Sequence, residues 1–367
     1  MALNVLCIGD IHIQTNNIND IKILIEKLES YIVKNTENID IVLFMGDILH
    51  THERLHTIPF NLATNLFEKL SKIKPLYILV GNHDYINNSQ FLSTNHWMNC
   101  LKSHNNINII DNVTLLNNKG QNVLFCPFIP DGRFKESLGT LKNFDWKLSD
   151  CIFGHQLIDG VKMGSIVTEN VEKWEENYPF LISGHIHDKQ KIQNNVYYTG
   201  SCIQHAFGES HDKTICLVKI DNSVTIEEID LKLPQKQILY YDIDSLDALN
   251  KDNTHEIEKL MKNIDNTDIH YKITISGNFE QFKLFKKTSL FFELQKNNTK
   301  IIFKNKLSDI LNKKHILKNT DSSNFQDILL ELISNEQEKY RNKMYHVYNS
   351  FYNISSTYNN KHIVFIE

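Results

Sequence analysis

Short apolar runs punctuate the first two-thirds of this chain, and five of them end alike. A glycine hands over to a side chain that can bind a metal. Val5–Ile8 leads into Gly9-Asp10, Ile41–Met45 into Gly46-Asp47, Leu76–Val80 into Gly81-Asn82, Cys151–Gly154 into His155, and Phe180–Ser183 into Gly184-His185. Runs of about four to five apolar residues have the length of buried strands. Between them lie one-sided helix patterns, Ile21, Leu24, Ile25 and Leu28 in one and Leu62, Leu66, Phe67 and Leu70 in another. That spacing puts one apolar stripe on each helix. Alternating strands and helices predict an α/β layer structure, whose ligands gather outside the carboxyl ends of its strands. Five polar residues at five such ends call for one common explanation.

The ligand types narrow it. Asp10-x-His12, Asp47, Asn82-His83-Asp84, His155 and His185-x-His187 mix carboxylate, imidazole and one amide oxygen. That set suits Mn²⁺, Fe²⁺ or Zn²⁺ better than Ca²⁺, which prefers oxygen alone. No thiolate takes part, which argues against a structural zinc site. The donors are too many for one ion. Two ions roughly 3.5–4 Å apart sharing a carboxylate would use them, the arrangement suited to displacement at phosphorus. Asp47 is the natural bridge.

The chain has 367 residues, enough for about two domains at roughly 150 residues each. Six scattered cysteines form no CxxC pair, as in reduced intracellular proteins and unlike a disulfide framework. The first residues read as a strand and not as a signal peptide, and no apolar run approaches the ~18 residues of a membrane span. The expectation is an intracellular protein with no membrane association. The net charge of −5 weakly disfavours a nucleic-acid binder, but it is an average. Residues 1–232 hold 20 basic against 27 acidic residues, and 233–367 hold 19 against 17. Two divalent ions would offset much of the first imbalance.

The ordered motifs D-x-H, GD, GNHD, GH and GHxH resemble the calcineurin-like metallophosphoesterase superfamily over roughly Val5 to Ile229. The resemblance implies a four-layer α/β/β/α sandwich. It implies Asp10, His12, Asp47 and His187 as ligands of a first ion, and Asp47, Asn82, His155 and His185 as ligands of a second. His83 matches the histidine that contacts phosphate and protonates the leaving oxygen. Asp84 is either the group that orients His83 or a helix cap. The implied chemistry is hydrolysis by a metal-activated water. Three departures set the chain apart from Ser/Thr phosphoprotein phosphatases, namely Ile13 after Asp10-Ile11-His12, Ile48-Leu49-His50 after Asp47, and Asp84 in the third motif.

Within the superfamily, Tyr198-Thr199-Gly200-Ser201, Gln204 and Phe207-Gly208-Glu209 closely resemble the SbcD-like DNA-repair nucleases. That branch implies a Mn²⁺-dependent exo- or endonuclease, homodimeric, working with an SMC-like ATPase on DNA ends. His50 matches a histidine near the phosphate; His205 has no motif role; His52 and His56 read as surface-loop residues. A small-molecule or cyclic-nucleotide phosphodiesterase of the same fold is the alternative, and a DNA-end scaffold with an idle nuclease a third reading. The implied organisation is a nuclease domain at 1–233, a small α/β capping domain at 234–303, and a linker with a C-terminal helical segment at 304–367. In the second block, Leu239–Ile243, Tyr271–Ser276 and Lys300–Phe303 read as strands and Glu280–Lys287 as a helix. Its lysines, including Lys283, Lys286, Lys287, Lys300 and Lys304, are either a solvated face or phosphate contacts. Ser323-x-x-Gln326 is a capping box. It opens an amphipathic helix that either covers the cap or lies on the ATPase partner.

Overall fold

The structure is a computed structural model. It describes residues 1–243 apart from 51, 53, 165 and 170, then 269–296, 299–305, 333, 334, 340, 341, 343–345, 347 and 348. The chain divides into two compact units, Met1–Lys304 and Asn305–Glu367.

Two six-stranded sheets form the body of the first unit. In the first sheet, β1 (Leu3–Ile8), β2 (Ile41–Phe44), β3 (Leu76–Leu79) and β4 (Ile107–Ile110) run parallel in that spatial order. β13 (Ile215–Ile220) pairs antiparallel with β1, and β14 (Val224–Ile229) pairs antiparallel with β13 at the edge. The second sheet is built around parallel β6 (Gln121–Phe125), β7 (Cys151–Gly154), β10 (Phe180–Ser183) and β12 (Val196–Tyr198). β5 (Thr114–Asn118) and β11 (Gln190–Gln193) are its antiparallel edges. A short hairpin of β8 (Lys162–Met163) and β9 (Ile166–Val167) stands apart.

Side-chain alternation explains the stacking. Along a strand, successive residues point to opposite faces. In β1, Leu3, Val5 and Cys7 join a core shared with Phe125, Phe153 and Ile182 of the second sheet. Leu6 and Ile8 point the other way, into a core with Ile21, Leu24 and Leu28 of α1 (Ile18–Lys34) and Leu66, Phe67 and Leu70 of α2 (Thr57–Ser71). The predicted helix stripes are thus the residues that cover the sheet. The second sheet's outer face packs on Phe134 and Leu138 of the short α3 (Phe134–Leu138), with Trp146 and Trp174. The architecture is the predicted mixed α/β sandwich, with a last layer made largely of loop aromatics. Each fully buried side chain of this kind contributes about 1.5–3 kcal/mol.

A third sheet carries β15 (Gln235–Asp242), β16 (Ile269–Gly277) and β17 (Lys300–Asn305) in that order. Its core gathers Ile273 and Ile275 with Phe282 and Phe285 of α4 (Phe279–Phe285) and Leu290 and Leu294 of α5 (Ser289–Lys296). The sequence reading placed the strands and α4 and lacked α5. It also lacked the parallel pairing of β15 and β16. An Asn278–Gln281 capping box starts α4. Of the amphipathic helix expected from Ser323, the capping box Ser323–Gln326 and the apolar positions Phe325, Ile328, Leu329, Leu332 and Phe351 lie outside the described residues, as do the further lysines Lys306, Lys313, Lys314 and Lys318. Ile333 is helical and buried; Tyr340, Met344 and Val347 are helical and exposed. Among the described residues, no helix is long and apolar enough to cross a membrane.

Candidate metal centre

All five motif ends meet where the two sheets present their carboxyl edges. Asp10 and His12 follow β1, Asp47 follows β2, and Asn82 follows β3. His155 follows β7, and His185 and His187 follow β10. Asp10, His12, Asp47, Asn82 and His155 are buried, and His185 and His187 are half-buried. The crowding accounts for the motif glycines. A Cβ on Gly81 would stand 2.2 Å from the Asp47 amide nitrogen, and one on Gly46 2.5 Å from His155 Nδ1. His12, Asp47 and His185 themselves take positive φ, at 40°, 50° and 78°. Strained backbone of this sort persists where the surrounding fold over-determines it.

The donors form two overlapping groups. His12 Nε2 lies 3.1 Å from His187 Nε2 and 3.4 Å from Asp47 Oδ2. His155 Nε2 lies 3.1 Å from Asn82 Oδ1 and also 3.4 Å from Asp47 Oδ2. His185 Nδ1 is 2.9 Å from Asn82 Oδ1 and 3.2 Å from His155 Nε2. Asp47 Oδ2 therefore stands between the groups. Asp10 Oδ2 accepts from the His185 amide at 2.9 Å, while Asp10 Oδ1 is buried with no hydrogen-bond partner.

These residues fit divalent cations. A buried, unpartnered carboxylate oxygen is costly unless a charge meets it. Imidazole nitrogens facing each other at 3.1–3.2 Å present lone pairs that a cation would satisfy. Asp10, His12 and Asp47 can converge on one ion, and Asp47, His155 and His185 on another. The protonation pattern shows the same competition for charge. Burial pushes Asp10 up to about 6. Burial also opposes ionisation of Asp47, yet His155 and His12 hold it well below the usual carboxylate range. Against burial, Asp47 and Asp10 raise His155 to about 9. Burial and the neighbouring His155 take His185 down to about 3.

Three further histidines line the rim. The His83 ring stacks between His50, at a centroid distance of 5.2 Å, and His52, at 4.9 Å. His83 Nδ1 lies 3.3 Å from the His50 carbonyl, and His50 Nδ1 lies 3.3 Å from His12 Nδ1. Burial lowers the His83 pKa, and the other two rings lower it further. His52 is thus part of the site and not the plain surface-loop residue the sequence suggested; His56 is exposed as expected.

Asp84 does something else than either reading gave it. Residues 82–84 form a turn and start no helix. The carboxylate accepts from the amides of Ile48, Leu49 and Gly81 and from the Trp97 indole. Among the described residues it ties the GD loop to the GNHD loop and acts on His83 only through the backbone. Burial and Asp47 push it up to about 7, against the Trp97, Gly81 and Leu49 donors that favour its charged form.

No motif assigns a role to His205. Its Nε2 donates to the Asp10 carbonyl at 2.9 Å, and its ring sits 4.9 Å from His12 and 4.8 Å from His187. Its place in the Tyr198–Glu209 segment was the only available signal.

A cluster of carboxylates, imidazoles and one amide at the joined edges of two sheets defines a metal-dependent hydrolase of phosphate esters. The sequence profile described as calcineurin-like phosphoesterase matches residues 3–189. The chain is 44% identical over 286 residues to "Putative phosphoesterase 244L" of Invertebrate iridescent virus 6, covering 78% of this chain and 98% of that protein. It is 37% identical over 333 residues to "Putative phosphoesterase 078R" of Invertebrate iridescent virus 3, covering 90% and 92%. The chain belongs to the calcineurin-like phosphoesterase family.

Proposed function

We propose that this chain is a two-metal, Mn²⁺-dependent DNA nuclease, an exo- or endonuclease of an SbcCD-like repair or recombination complex. The observation that supports DNA over a small substrate is that β15 is tied to the segment lying beside the centre. Lys236 of β15 donates to the Gln204 and His205 carbonyls at 2.7 and 3.3 Å, and His205 in turn holds the Asp10 carbonyl. A polymer laid across this junction can meet the centre and the cap together. The cap exposes Lys283, Lys286, Lys287, Lys300 and Lys304, and phosphate backbones bind positive charge without sequence reading.

In this reading Asp10, His12, Asp47 and His187 hold one cation, and Asp47, Asn82, His155 and His185 the other. When bound, such ions neutralise phosphate oxygens and acidify a water. His83 directs Nδ1 at the His50 carbonyl, leaving Nε2 as the atom that must take up a proton, making the ring an imidazolium, before passing it to the departing sugar oxygen. His50 and His52 hold its ring plane, and Asp84 fixes the two loops that carry it. The proposal extends to a homodimer and to an SMC-like ATPase bound through the segment after Ser323.

The test is Mn²⁺-loaded full-length chain on linear DNA, bis-p-nitrophenyl phosphate and a cyclic nucleotide, with Asp47→Ala as the blank. DNA degraded by the parent and spared by the variant supports the proposal. Turnover of the cyclic nucleotide with DNA untouched overturns it in favour of a small-molecule phosphodiesterase.

A further inference from the structure

The Tyr198–Glu209 segment carries more than a family signature. We infer that Glu209 is a positioning residue that fixes the His187 ring and so sets the cation affinity of the Asp10–His12–His187 half of the centre. The inference rests on reading that centre as a cation site.

His187 turns Nε2 toward the centre, 3.1 Å from His12 Nε2. Its other nitrogen, Nδ1, faces Glu209 Oε1 at 3.6 Å. A metal needs the lone pair on the inner nitrogen, so the proton must stay on the outer one. A carboxylate opposite the outer nitrogen holds it there and fixes the ring's rotation.

Glu209 is itself held. Oε2 accepts from the His205 amide at 2.9 Å and lies 3.4 Å from Lys213 Nζ. The Lys213 side chain is only 6% exposed. It donates to the His187 carbonyl at 2.8 Å and to Ser201 Oγ at 2.9 Å. Ser201 N donates to the same His187 carbonyl at 3.1 Å. Backbone and ring of His187 are therefore clamped by one charged network. The other half is built differently. There, His155 Nδ1 meets a neutral partner, the Met45 carbonyl, at 2.7 Å. Removing the Glu209 charge should accordingly affect one half and spare the other.

The experiment titrates Mn²⁺ into metal-free full-length chain by calorimetry, for the parent, Glu209→Gln and Glu209→Ala, with melting of each metal-free protein alongside. The parent is expected to bind two ions. Glu209→Gln should weaken one of them by roughly 10–100-fold, the range for an outer partner of a ligating histidine. The second ion and the metal-free melting temperature should be unchanged. Glu209→Ala should lose at least as much, and if it fails to fold, Glu209→Gln carries the test. A Glu209→Gln isotherm equal to the parent's overturns the proposal and leaves the metal reading standing. Equal weakening of both sites with a lower melting temperature overturns it too, since Glu209 would then merely support the fold. A parent that binds no Mn²⁺ overturns it together with the reading it rests on.

Discussion

The sandwich and the cap solve different problems with the same alphabet. Sandwich strands such as β1, β2 and β7 are buried along nearly their whole length, and their metal-type residues come just after the strand ends. The cap's β15 is half-buried or exposed at every position, and the charged residues of the cap spread over the surface. Geometry therefore does the chemical work in the sandwich, where seven donors have one arrangement. The cap offers charge on an exposed surface instead, with Lys283 over Phe279, Lys286 over Phe303 and Lys304 over Tyr240. A site built from geometry should be brittle to single substitutions. A surface built from charge should tolerate them.

The largest break in this contrast should come from Asp47→Asn. It removes the carboxylate that stands 3.4 Å from both His12 and His155. Hydrolysis of bis-p-nitrophenyl phosphate with Mn²⁺ should fall by several orders of magnitude, and calorimetry should show both cation sites weakened. Losing one site alone would show that Asp47 does not bridge. His83→Ala comes next, with kcat lower by on the order of 10²–10⁴-fold, the usual range for a general acid. Its Mn²⁺ affinity should stay at the parent level. A kcat within a few-fold of the parent would remove His83 from the reaction. In the cap, Lys283→Ala, Lys286→Ala or Lys304→Ala alone should leave kcat unchanged and weaken DNA binding modestly, with a shallower salt dependence for the triple variant. A single cap lysine that abolished turnover would put geometry into the cap as well.

The same contrast explains what could be read from residues alone. Strand-end motifs are legible because a buried strand must hand its chain back to solvent at a fixed place. Glycine is required there by close approach, as at Gly81 against Asp47. The apolar stripes of α1 and α2 were legible because helical spacing alone decides which residues face the sheet. His52 was not, because its stacking on His83, 31 positions along the chain, is a long-range contact. Asp84 was misread for a related reason. Its partners are the amides of Ile48 and Leu49, 36 and 35 positions away, and no local pattern announces them. Cap strands were visible as apolar runs, but parallel pairing of β15 with β16 is a long-range choice that periodicity cannot report.

The smallest expected effect lies where the two regions join. Asp20 of α1 meets His270 of β16 at 2.8 Å and Lys236 of β15 at 3.5 Å. The hydrogen bond with Asp20 raises the His270 pKa. Against burial, His270 and Lys236 hold Asp20 below the usual carboxylate value. The signs give a pH window. The His270 contribution is fully present below its ordinary value near 6.5 and fades as pH rises through its raised folded value. The Asp20 contribution is present above its ordinary 3.8 and fades as pH falls through its lowered folded value. The junction is therefore strongest between those limits. Half-exposure of His270 screens the pair, so His270→Asn should cost no more than about 1 kcal/mol. Thermal melts of parent and variant should differ most near pH 5.5 and converge toward pH 9. A difference that grows with pH would mean that His270 holds the cap as a neutral ring, and that packing rather than charge joins the cap to the sandwich.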